Sequence, residues 1–224
     1  EQMQWKSAVF KRQVSLAAKT TLRVGGSADI FAELADEEDL IKLLQWADKS
    51  RVPVTLLGAG SNVLVSDLGV RGVVVRLADP AFRQISLASA PAFRVVVGAG
   101  VSLAELTGRL AADGLAGLEF LAGIPGSVGG ALRMNAGAWG ESIGARVAWV
   151  RLRNPDGSEQ VLEKAALGFS YRHCAGLIGP AAAGKVVCAA AFDLTPSNPQ
   201  AVRTRQAEIL KRRAWLSGRS SAGS

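Results

Sequence analysis

The chain has 224 residues, of which 49% are hydrophobic and 20% are charged. This composition is that of a soluble globular protein, and it excludes a disordered chain, a collagen or a coiled coil. The length allows one large domain or two small ones. The formal net charge of +7 favours acidic partners, and the phosphates of a small molecule qualify as well as nucleic acid does.

Membrane, secreted and metal-binding classes are not expected. No stretch approaches the roughly 20 apolar residues of a membrane helix, and segment 1–16 lacks the apolar core and cleavage site of a secretory signal. Cys174 and Cys188 are too few for a disulfide framework and favour free thiols in a reducing compartment such as the cytoplasm. The single histidine, His173, does not complete a zinc ligand set with them, so we expect no metal.

The N-terminal half combines one clear helix with short apolar strands. Residues 36–50 predict a helix, because leucines recur along it at helical spacing and Asp36 can cap its first N–H groups. Residues 58–62 indicate a turn. Apolar runs predict a short buried strand at 53–57 and three further strands at 63–66, 73–77 and 94–100.

Two helices bound the C-terminal half. The first, 102–114, has a capping box from Ser102 to Glu105. The second, 198–216, has Asn198 as its cap.

Strands fill the space between these helices. The turn at 154–157 predicts a hairpin between strands 145–154 and 158–163, and 185–194 is a further strand. The turn-rich stretch 195–199 indicates a boundary before the last helix. Helices and hairpins are therefore intermixed, which favours an α+β or mixed α/β class.

The segment 122–140, AGIPGSVGGALRMNAGAWG, is the richest in glycine. Glycine lets the backbone approach a ligand closely and adopt a positive φ. If residues 127–135 begin a helix, its free N–H groups favour a phosphate or a carbonyl-rich ring. A glycine-rich structural loop is the alternative.

A second glycine turn, LGAGSN at 57–62, lies between two predicted strands. Successive backbone N–H groups in such a turn form an anion-binding nest, and Ser61 and Asn62 add side-chain donors. The turn is not a Walker A loop, because no Gly-Lys-Ser/Thr follows it. A tight hairpin is the alternative.

Two other motifs do not indicate a site by themselves. Residues 95–103 imitate the dinucleotide fingerprint, but Leu103 occupies the position of the third glycine, so we reject a Rossmann site. The basic run 203–219 contains one aromatic residue, Trp215, which counts against a binder of single-stranded nucleic acid.

Five stretches, taken in order, resemble the UDP-N-acetylenolpyruvylglucosamine reductase family, also called UDP-N-acetylmuramate dehydrogenases. The block at 122–140 is the most specific of them. The stretches are TTLRVGG (20–26), LGAGSNVLVSD (57–67), AGIPGSVGGALRMNAGAWG (122–140), FSYRHC (169–174) and SAGS (221–224).

The resemblance implies an α+β fold, an FAD-binding domain of the vanillyl-alcohol oxidase (PCMH) type with FAD between two α+β subdomains. We expect the first subdomain in residues 1–80, the second in 81–197, and the start of a truncated substrate-binding domain in 198–224. The cofactor-binding residues that the resemblance implies lie in the two glycine segments. They are Gly58, Gly60, Ser61, Asn62, Gly123, Ile124, Pro125, Gly126, Ser127, Gly129, Gly130, Asn135 and Gly137.

The resemblance also implies the reaction. NADPH would reduce FAD, and UDP-N-acetylglucosamine enolpyruvate would then be reduced to UDP-N-acetylmuramate for bacterial peptidoglycan. The family's tyrosine–arginine motif corresponds to Tyr171-Arg172, and its proton-donating serine corresponds to Ser224. A fixed guanidinium at Arg172 would stabilise the negative charge that develops on the enolpyruvyl group. We expect a monomeric cytoplasmic enzyme with no nucleic-acid or membrane partner.

The sequence departs from the family in three places. Cys174 stands where the family usually has serine, and residues 216–220 lack the family's prolines. The family also continues past its donor serine into a part that carries a catalytic glutamate, so we interpret this sequence as the FAD-binding portion. Two alternatives stay open: another FAD-dependent oxidoreductase of the same fold, and a basic non-enzymatic binding module.

Overall fold

The structure is a computed structural model that describes residues 4–78, 80–88 and 93–217. Its N-terminal part contains four strands and one helix. In chain order these are β1 (Val9–Ser15), β2 (Ser27–Leu34), α1 (Glu37–Ser50), β3 (Val54–Leu56) and β4 (Val70–Leu77).

The remaining elements include a second, larger set of strands and four further helices within the described residues. They are β5 (Ile85–Leu87), β6 (Arg94–Gly98), α2 (Leu103–Ala112), β7 (Leu115–Ala116), α3 (Val128–Arg133), β8 (Gly137–Ala138), β9 (Glu141–Ser142), β10 (Val147–Arg153), β11 (Glu159–Glu163), α4 (Lys164–Leu167), β12 (Phe169–Ser170), β13 (His173–Cys174), β14 (Val186–Asp193), β15 (Thr195–Pro196) and α5 (Pro199–Ser217).

The first sheet has the strand order β1-β2-β4-β3. Strands β2, β3 and β4 are parallel, and β1 is antiparallel to β2. Helix α1 begins where the sequence predicts, because the Asp36 side chain accepts a hydrogen bond from the Glu38 N–H at 2.8 Å. Its leucines at the predicted spacing are buried against this sheet.

Two strand predictions for this sheet are wrong, and the hairpin considered as an alternative for the glycine turn is not formed. Residues 63–66 form no strand, and the turn at 58–62 does not close a hairpin. Neighbouring parallel strands need a connection that runs back along the sheet, and the chain between β3 and β4 is used for that return. Strand β3 is also an edge strand, and Thr55 and Leu56 are exposed on it, so it is not the buried strand that the sequence predicts.

The second sheet is antiparallel and has the order β11-β10-β14-β6-β5. The hairpin predicted around 154–157 is confirmed as β10 and β11, and Gly157 has the positive φ of +86° that the turn requires. Helices α2 and α3 pack on this sheet, and their leucines share one apolar core with it.

The predicted helix caps explain where the helices of the second half begin. The Ser102 hydroxyl accepts a hydrogen bond from the Glu105 N–H at 3.1 Å and caps α2. The Glu105 carboxylate, however, pairs with Arg83. Asn198 caps α5, because its Oδ1 accepts from the Gln200 N–H at 2.8 Å.

An apolar core and an ion cluster join α1 to the second sheet. Val186 and Cys188 of β14 are buried in one cluster with leucines of α1. Glu37 Oε1 accepts hydrogen bonds from Arg151 at 2.6 Å and from Arg153 at 2.7 and 2.9 Å. Burial alone would raise the pKa of Glu37, but the hydrogen bonds from Arg153 and Arg151 outweigh it and lower that pKa.

The two cysteines do not form a disulfide. Cys174 and Cys188 are buried free thiols, and burial raises the pKa of Cys188 to about 12. In residues 4–78, 80–88 and 93–217 no cluster of three or more metal-ligating side chains occurs. No described helix combines the length and the apolar character needed to cross a membrane.

Candidate functional site

A cavity of about 640 Å³ lies between the two sheets. On the side of the first sheet it is bordered by Glu33, Leu56 and Leu77, near the carboxyl ends of β2, β3 and β4. On the side of the second sheet it is bordered by Gly100, just after β6, and by Leu152 near the end of β10. Ligands of open α/β sheets bind outside the carboxyl ends of their parallel strands, so the cavity is the candidate ligand site.

The turn after β3 forms one border of this cavity. Leu57, Gly58 and Ala59 line it. A Cβ atom on Gly58 would lie 2.5 Å from the Ser127 hydroxyl oxygen, which is closer than real Cβ atoms come. Glycine at position 58 therefore lets this turn approach the second glycine segment.

The second glycine segment forms the facing border. Gly126, Ser127, Gly129 and Gly130 line the cavity at the start of α3. Ser127 is the N-cap of this helix, and its hydroxyl accepts from the Gly130 N–H at 3.4 Å. The helix expected from residue 127 onward is thus present, and its first turn borders the cavity.

A hydrogen bond ties the two glycine segments together. The Ser61 hydroxyl donates to the Pro125 carbonyl at 2.9 Å. These residues are 64 positions apart in the sequence. The topology therefore brings together two motifs that the sequence presents as separate.

Ser61 and Pro125 are not part of the cavity lining, and four other predicted cofactor residues also lie outside it. Gly60 has a φ of +68° and faces the Lys19 carbonyl, and Asn62 is exposed. Gly123 has a φ of +77° and lies against α5, while Ile124 packs on the core of the second sheet. Their contacts shape the two glycine segments, and their role toward a cofactor stays a prediction.

The last two predicted cofactor residues lie at the far end of α3, also outside the lining. Asn135 is buried, with its amide nitrogen donating to the Ser170 carbonyl at 2.7 Å and its Oδ1 accepting from the Gly144 N–H at 3.0 Å. The Gly137 carbonyl accepts from Arg172 Nη1 at 3.1 Å. These bonds connect the second glycine segment to the Tyr171-Arg172 motif.

The predicted catalytic residues do not line the cavity within the described chain. Arg172 is half-buried between β12 and β13 with a φ of +53°, and Tyr171 beside it is 89% exposed. Arg213 of α5 is close enough that burial and then the charge of Arg172 lower its pKa. Ser224 lies outside the residues that the structure describes.

Sequence reasoning missed the cations of the cavity. Arg76, Arg83, Arg133 and Lys185 line it, against a single lining carboxylate, Glu33, among the described residues. They come from β4, from the segment after it, from the end of α3 and from the position just before β14. The excess of basic residues was the only signal in the sequence, because no motif connects these four positions.

Comparisons with known proteins agree on one family. A family model described as "FAD binding domain" matches residues 28–163. The crystal structure of UDP-N-acetylenolpyruvylglucosamine reductase from Thermus caldophilus is 33% identical, with a TM-score of 0.78, and the match covers 93% of this chain and 70% of that one. The chain belongs to the UDP-N-acetylenolpyruvylglucosamine reductase family.

Relatives of known sequence support the same membership. UDP-N-acetylenolpyruvoylglucosamine reductases of Gluconobacter oxydans and Caulobacter vibrioides are each 42% identical to this chain, over 87% and 89% of its length. The match covers 60% and 64% of those two reductases. The chain thus spans a little under two thirds of the curated relatives it matches.

A more distant likeness concerns the fold alone. A structure of alkyldihydroxyacetonephosphate synthase is 17% identical, with a TM-score of 0.54 over 76% of this chain. Together with the family match, this likeness confirms the expected α+β fold of an FAD-binding domain. The predicted division at residues 80 and 197 stays a prediction.

The residues of the cavity fit the cofactor named in the family description. FAD is a dinucleotide with a pyrophosphate, and cations and closely approaching backbone are what such an anion requires. Gly58 and Gly126 present backbone without a side chain at the border of the cavity, and Gly58 also lets the two glycine segments approach each other. The four cations supply the charge that the pyrophosphate would neutralise.

Proposed function

We propose that this chain binds one FAD in the cavity between its two sheets, as the FAD-binding part of an NADPH-dependent UDP-N-acetylenolpyruvylglucosamine reductase. The observation that carries the proposal is the meeting of the two glycine segments at a cation-lined cavity. Family membership supports it independently.

The residues that would hold FAD are those that border the cavity. Backbone of Gly58 and Ala59 on one side and of Gly126 to Gly130 on the other would lie against the cofactor. Ser61 would act indirectly, because its hydroxyl already binds the Pro125 carbonyl. Bound FAD supplies the capacity to accept and deliver hydride, which none of the protein's side chains has.

The proposed reaction is the reduction of the enolpyruvyl double bond of UDP-N-acetylglucosamine enolpyruvate, which gives UDP-N-acetylmuramate for peptidoglycan. Arg172 is the proposed electrophile that stabilises charge on the enolpyruvyl carboxylate, and Ser224 is the proposed proton donor. The Gly137 carbonyl holds one arm of the Arg172 guanidinium, which would fix its orientation. We further propose that the protein acts as a monomer in the bacterial cytoplasm, without nucleic-acid or membrane partners.

A titration with FAD tests the proposal. The purified chain should bind one FAD per chain and show a flavin absorbance spectrum. NADPH should then bleach the bound flavin, and UDP-N-acetylglucosamine enolpyruvate should restore its absorbance. Because the chain spans about 60% of a relative's length, we expect FAD binding with slow reoxidation. A chain that binds no flavin would contradict the proposal.

Two substitutions test the proposed catalytic residues in any form of the protein that turns over substrate. Arg172→Lys keeps the charge but loses the planar fork, so reoxidation by substrate should slow by about 100-fold. Ser224→Ala should slow reoxidation and leave bleaching by NADPH nearly intact. Equal reoxidation rates in a variant and the parent would remove that residue from the mechanism.

A further inference from the structure

Asn135 follows α3 in a backbone conformation that glycine usually occupies. Its φ is +42°, in the left-handed region that is costly for residues with a Cβ atom. The Asn135 N–H donates to the Leu132 carbonyl at 3.1 Å, and the Ala136 N–H donates to the Ala131 carbonyl at 2.8 Å, which is the Schellman arrangement of a helix end. Glycine would satisfy this backbone at a lower cost, so the side chain of Asn135 is what explains the asparagine.

The Asn135 side chain is buried, and both ends of its amide are bonded within the protein. The residue is 7% exposed. Its Nδ2 donates to the Ser170 carbonyl at 2.7 Å, and its Oδ1 accepts from the Gly144 N–H at 3.0 Å. A Cβ atom at Gly144 would lie 2.8 Å from this Oδ1, so glycine at 144 leaves room for the amide. Because a buried amide is costly to leave unpaired, these partners fix one arrangement of the three segments.

Ser170 belongs to the hairpin that carries Arg172. Strands β12 and β13 form a two-stranded sheet of their own and pair with no other strand among the residues that the structure describes. A two-stranded hairpin is marginally stable by itself, so bonds to its surroundings decide where its turn lies. Ser170 directly precedes the Tyr171-Arg172 turn, and the Asn135 amide therefore holds the backbone at the base of that turn.

A second bond from the same short stretch holds the Arg172 side chain. Gly137 lies two residues after Asn135, and its carbonyl accepts from Arg172 Nη1 at 3.1 Å. Residues 135–137 thus bind the hairpin at two points, once at its backbone and once at the guanidinium.

Helix α3 connects these two bonds to the cavity. Its first turn, with Gly129 and Gly130, lines the cavity, and Asn135 follows its other end. The helix has six residues and is therefore about 9 Å long. The place of Arg172 relative to the cavity is thus set through a short hydrogen-bonded helix and the amide that follows it.

We propose that Asn135 is a positioning residue of the reductase reaction, which holds the Tyr171-Arg172 turn so that the Arg172 guanidinium meets the enolpyruvyl carboxylate. This inference rests on the proposed function and adds to it a residue that acts through Arg172. The role differs from the direct cofactor contact that the resemblance implies for Asn135. A displacement of about 1 Å at a group that contacts the substrate can cost much of the rate, and the two bonds prevent such a displacement.

Asn135→Gly tests this role, because it removes the amide and keeps a residue that favours the left-handed conformation. In the 224-residue chain, amide hydrogen exchange should become faster in peptides that cover 169–174 and stay unchanged in β10 and β11. In a form of the protein that turns over substrate, reoxidation of the reduced flavin by saturating UDP-N-acetylglucosamine enolpyruvate should slow about tenfold. FAD affinity and bleaching by NADPH should not change.

Asn154→Ala is the matched control. The Asn154 Nδ2 also donates to a neutral oxygen, the Ser158 hydroxyl at 2.9 Å, in the turn between β10 and β11. Its substitution should alter neither reoxidation nor exchange at 169–174. If Asn135→Gly does not fold, Asn135→Asp takes its place with the same expected result, because aspartate keeps the acceptor for the Gly144 N–H and loses the donor to Ser170.

A double-mutant cycle separates positioning of Arg172 from general support of the fold. With Arg172→Gln in the background, Asn135→Gly should slow reoxidation by less than about twofold, because the group through which it acts is already absent.

The outcomes separate this inference from the proposed function. The same loss of rate in both backgrounds, an unchanged rate in Asn135→Gly, or unchanged exchange at 169–174 would each overturn the inference and leave the flavin function standing. A wild-type protein that binds no FAD would contradict the proposed function itself, whatever the exchange at 169–174.

Discussion

The two sheets meet in two regions, one packed and one open, which differ in packing and in how charge is compensated. In the packed region, leucines of α1 share a core with Val186 and Cys188, and Glu37 is bonded to two arginines of β10. In the open region, glycines and cations line a cavity of about 640 Å³.

The difference lies in how charge is compensated. Glu37 lies within 2.7 Å of both Arg151 and Arg153, and Glu159 lies 3.0 Å from each of them. In the open region, Arg133 and Lys185 meet neutral oxygens. The packed region is therefore complete without a ligand, whereas the open region gains from an anion. This contrast predicts that substitutions in the first region change stability and that those in the second change ligand affinity.

The largest expected effect is on stability in the packed region. Glu37→Ala leaves Arg151 and Arg153 half-buried with only Glu159 as their partner, so the free energy of unfolding should fall by about 2 kcal/mol. Denaturant unfolding measures it. Glu38→Ala is the control, because Glu38 is the next residue of the same helix and forms an exposed pair with Lys6; it should cost much less. Equal losses of unfolding free energy in the two variants would show that the buried ion cluster stabilises the fold no more than an exposed ion pair does.

A smaller effect is expected on FAD affinity in the open region. Gly130 lines the cavity, and a Cβ there would meet no atom closer than 3.5 Å. Gly130→Leu should therefore fill part of the cavity without straining the helix and weaken FAD binding about tenfold. Gly108→Leu is the control, since Gly108 lies in α2 and a Cβ atom added to it would have no neighbouring atom within 4 Å. Isothermal titration with FAD would contradict the account if both variants bound alike.

The pH dependence of stability sharpens the same contrast. The pKa of Glu37 is lowered in the folded protein, so its contribution is present above the ordinary glutamate value near 4.5 and is lost as pH falls through the folded value. The stability difference between the wild type and Glu37→Gln should therefore shrink on acidification. Unfolding measured from neutral to acidic pH checks this, and a difference that grows toward low pH would contradict it.

The smallest expected effect concerns the thiol in the packed region. Burial raises the pKa of Cys188 to about 12, and thiolate is the reactive form. A thiol reagent at neutral pH should therefore modify Cys188 only after unfolding. Rapid modification of the native chain at Cys188, identified by mass spectrometry, would show that the packed region opens readily.

Local signals in the sequence predict much of the fold. Asp36, Ser102 and Asn198 locate three helix starts because each side chain binds an N–H two or three residues away. The hairpin around 154–157 is likewise a local structure. Strand β1 is not predicted, because six of its seven residues are exposed and no apolar alternation marks it.

Contacts between distant residues explain what the sequence does not predict. Residues 63–66 have the composition of a strand, but the parallel pairing of β3 with β4 uses this segment as a connection. Glu37 and Arg153 are 116 positions apart, and Arg133 and Leu177 are 44 apart. Glycine motifs could indicate a ligand because backbone approach depends on local sequence, whereas the cations around them are assembled by topology.

Amide hydrogen exchange with and without saturating FAD tests the central claim most directly, because it locates the bound cofactor along the chain. We predict binding of one FAD with slower exchange in peptides that contain Gly58 to Ser61 and Gly126 to Gly130, and unchanged exchange in β1, which contributes no residue to the cavity lining. FAD binding that protects neither glycine segment would contradict the assignment of the open region as the cofactor site.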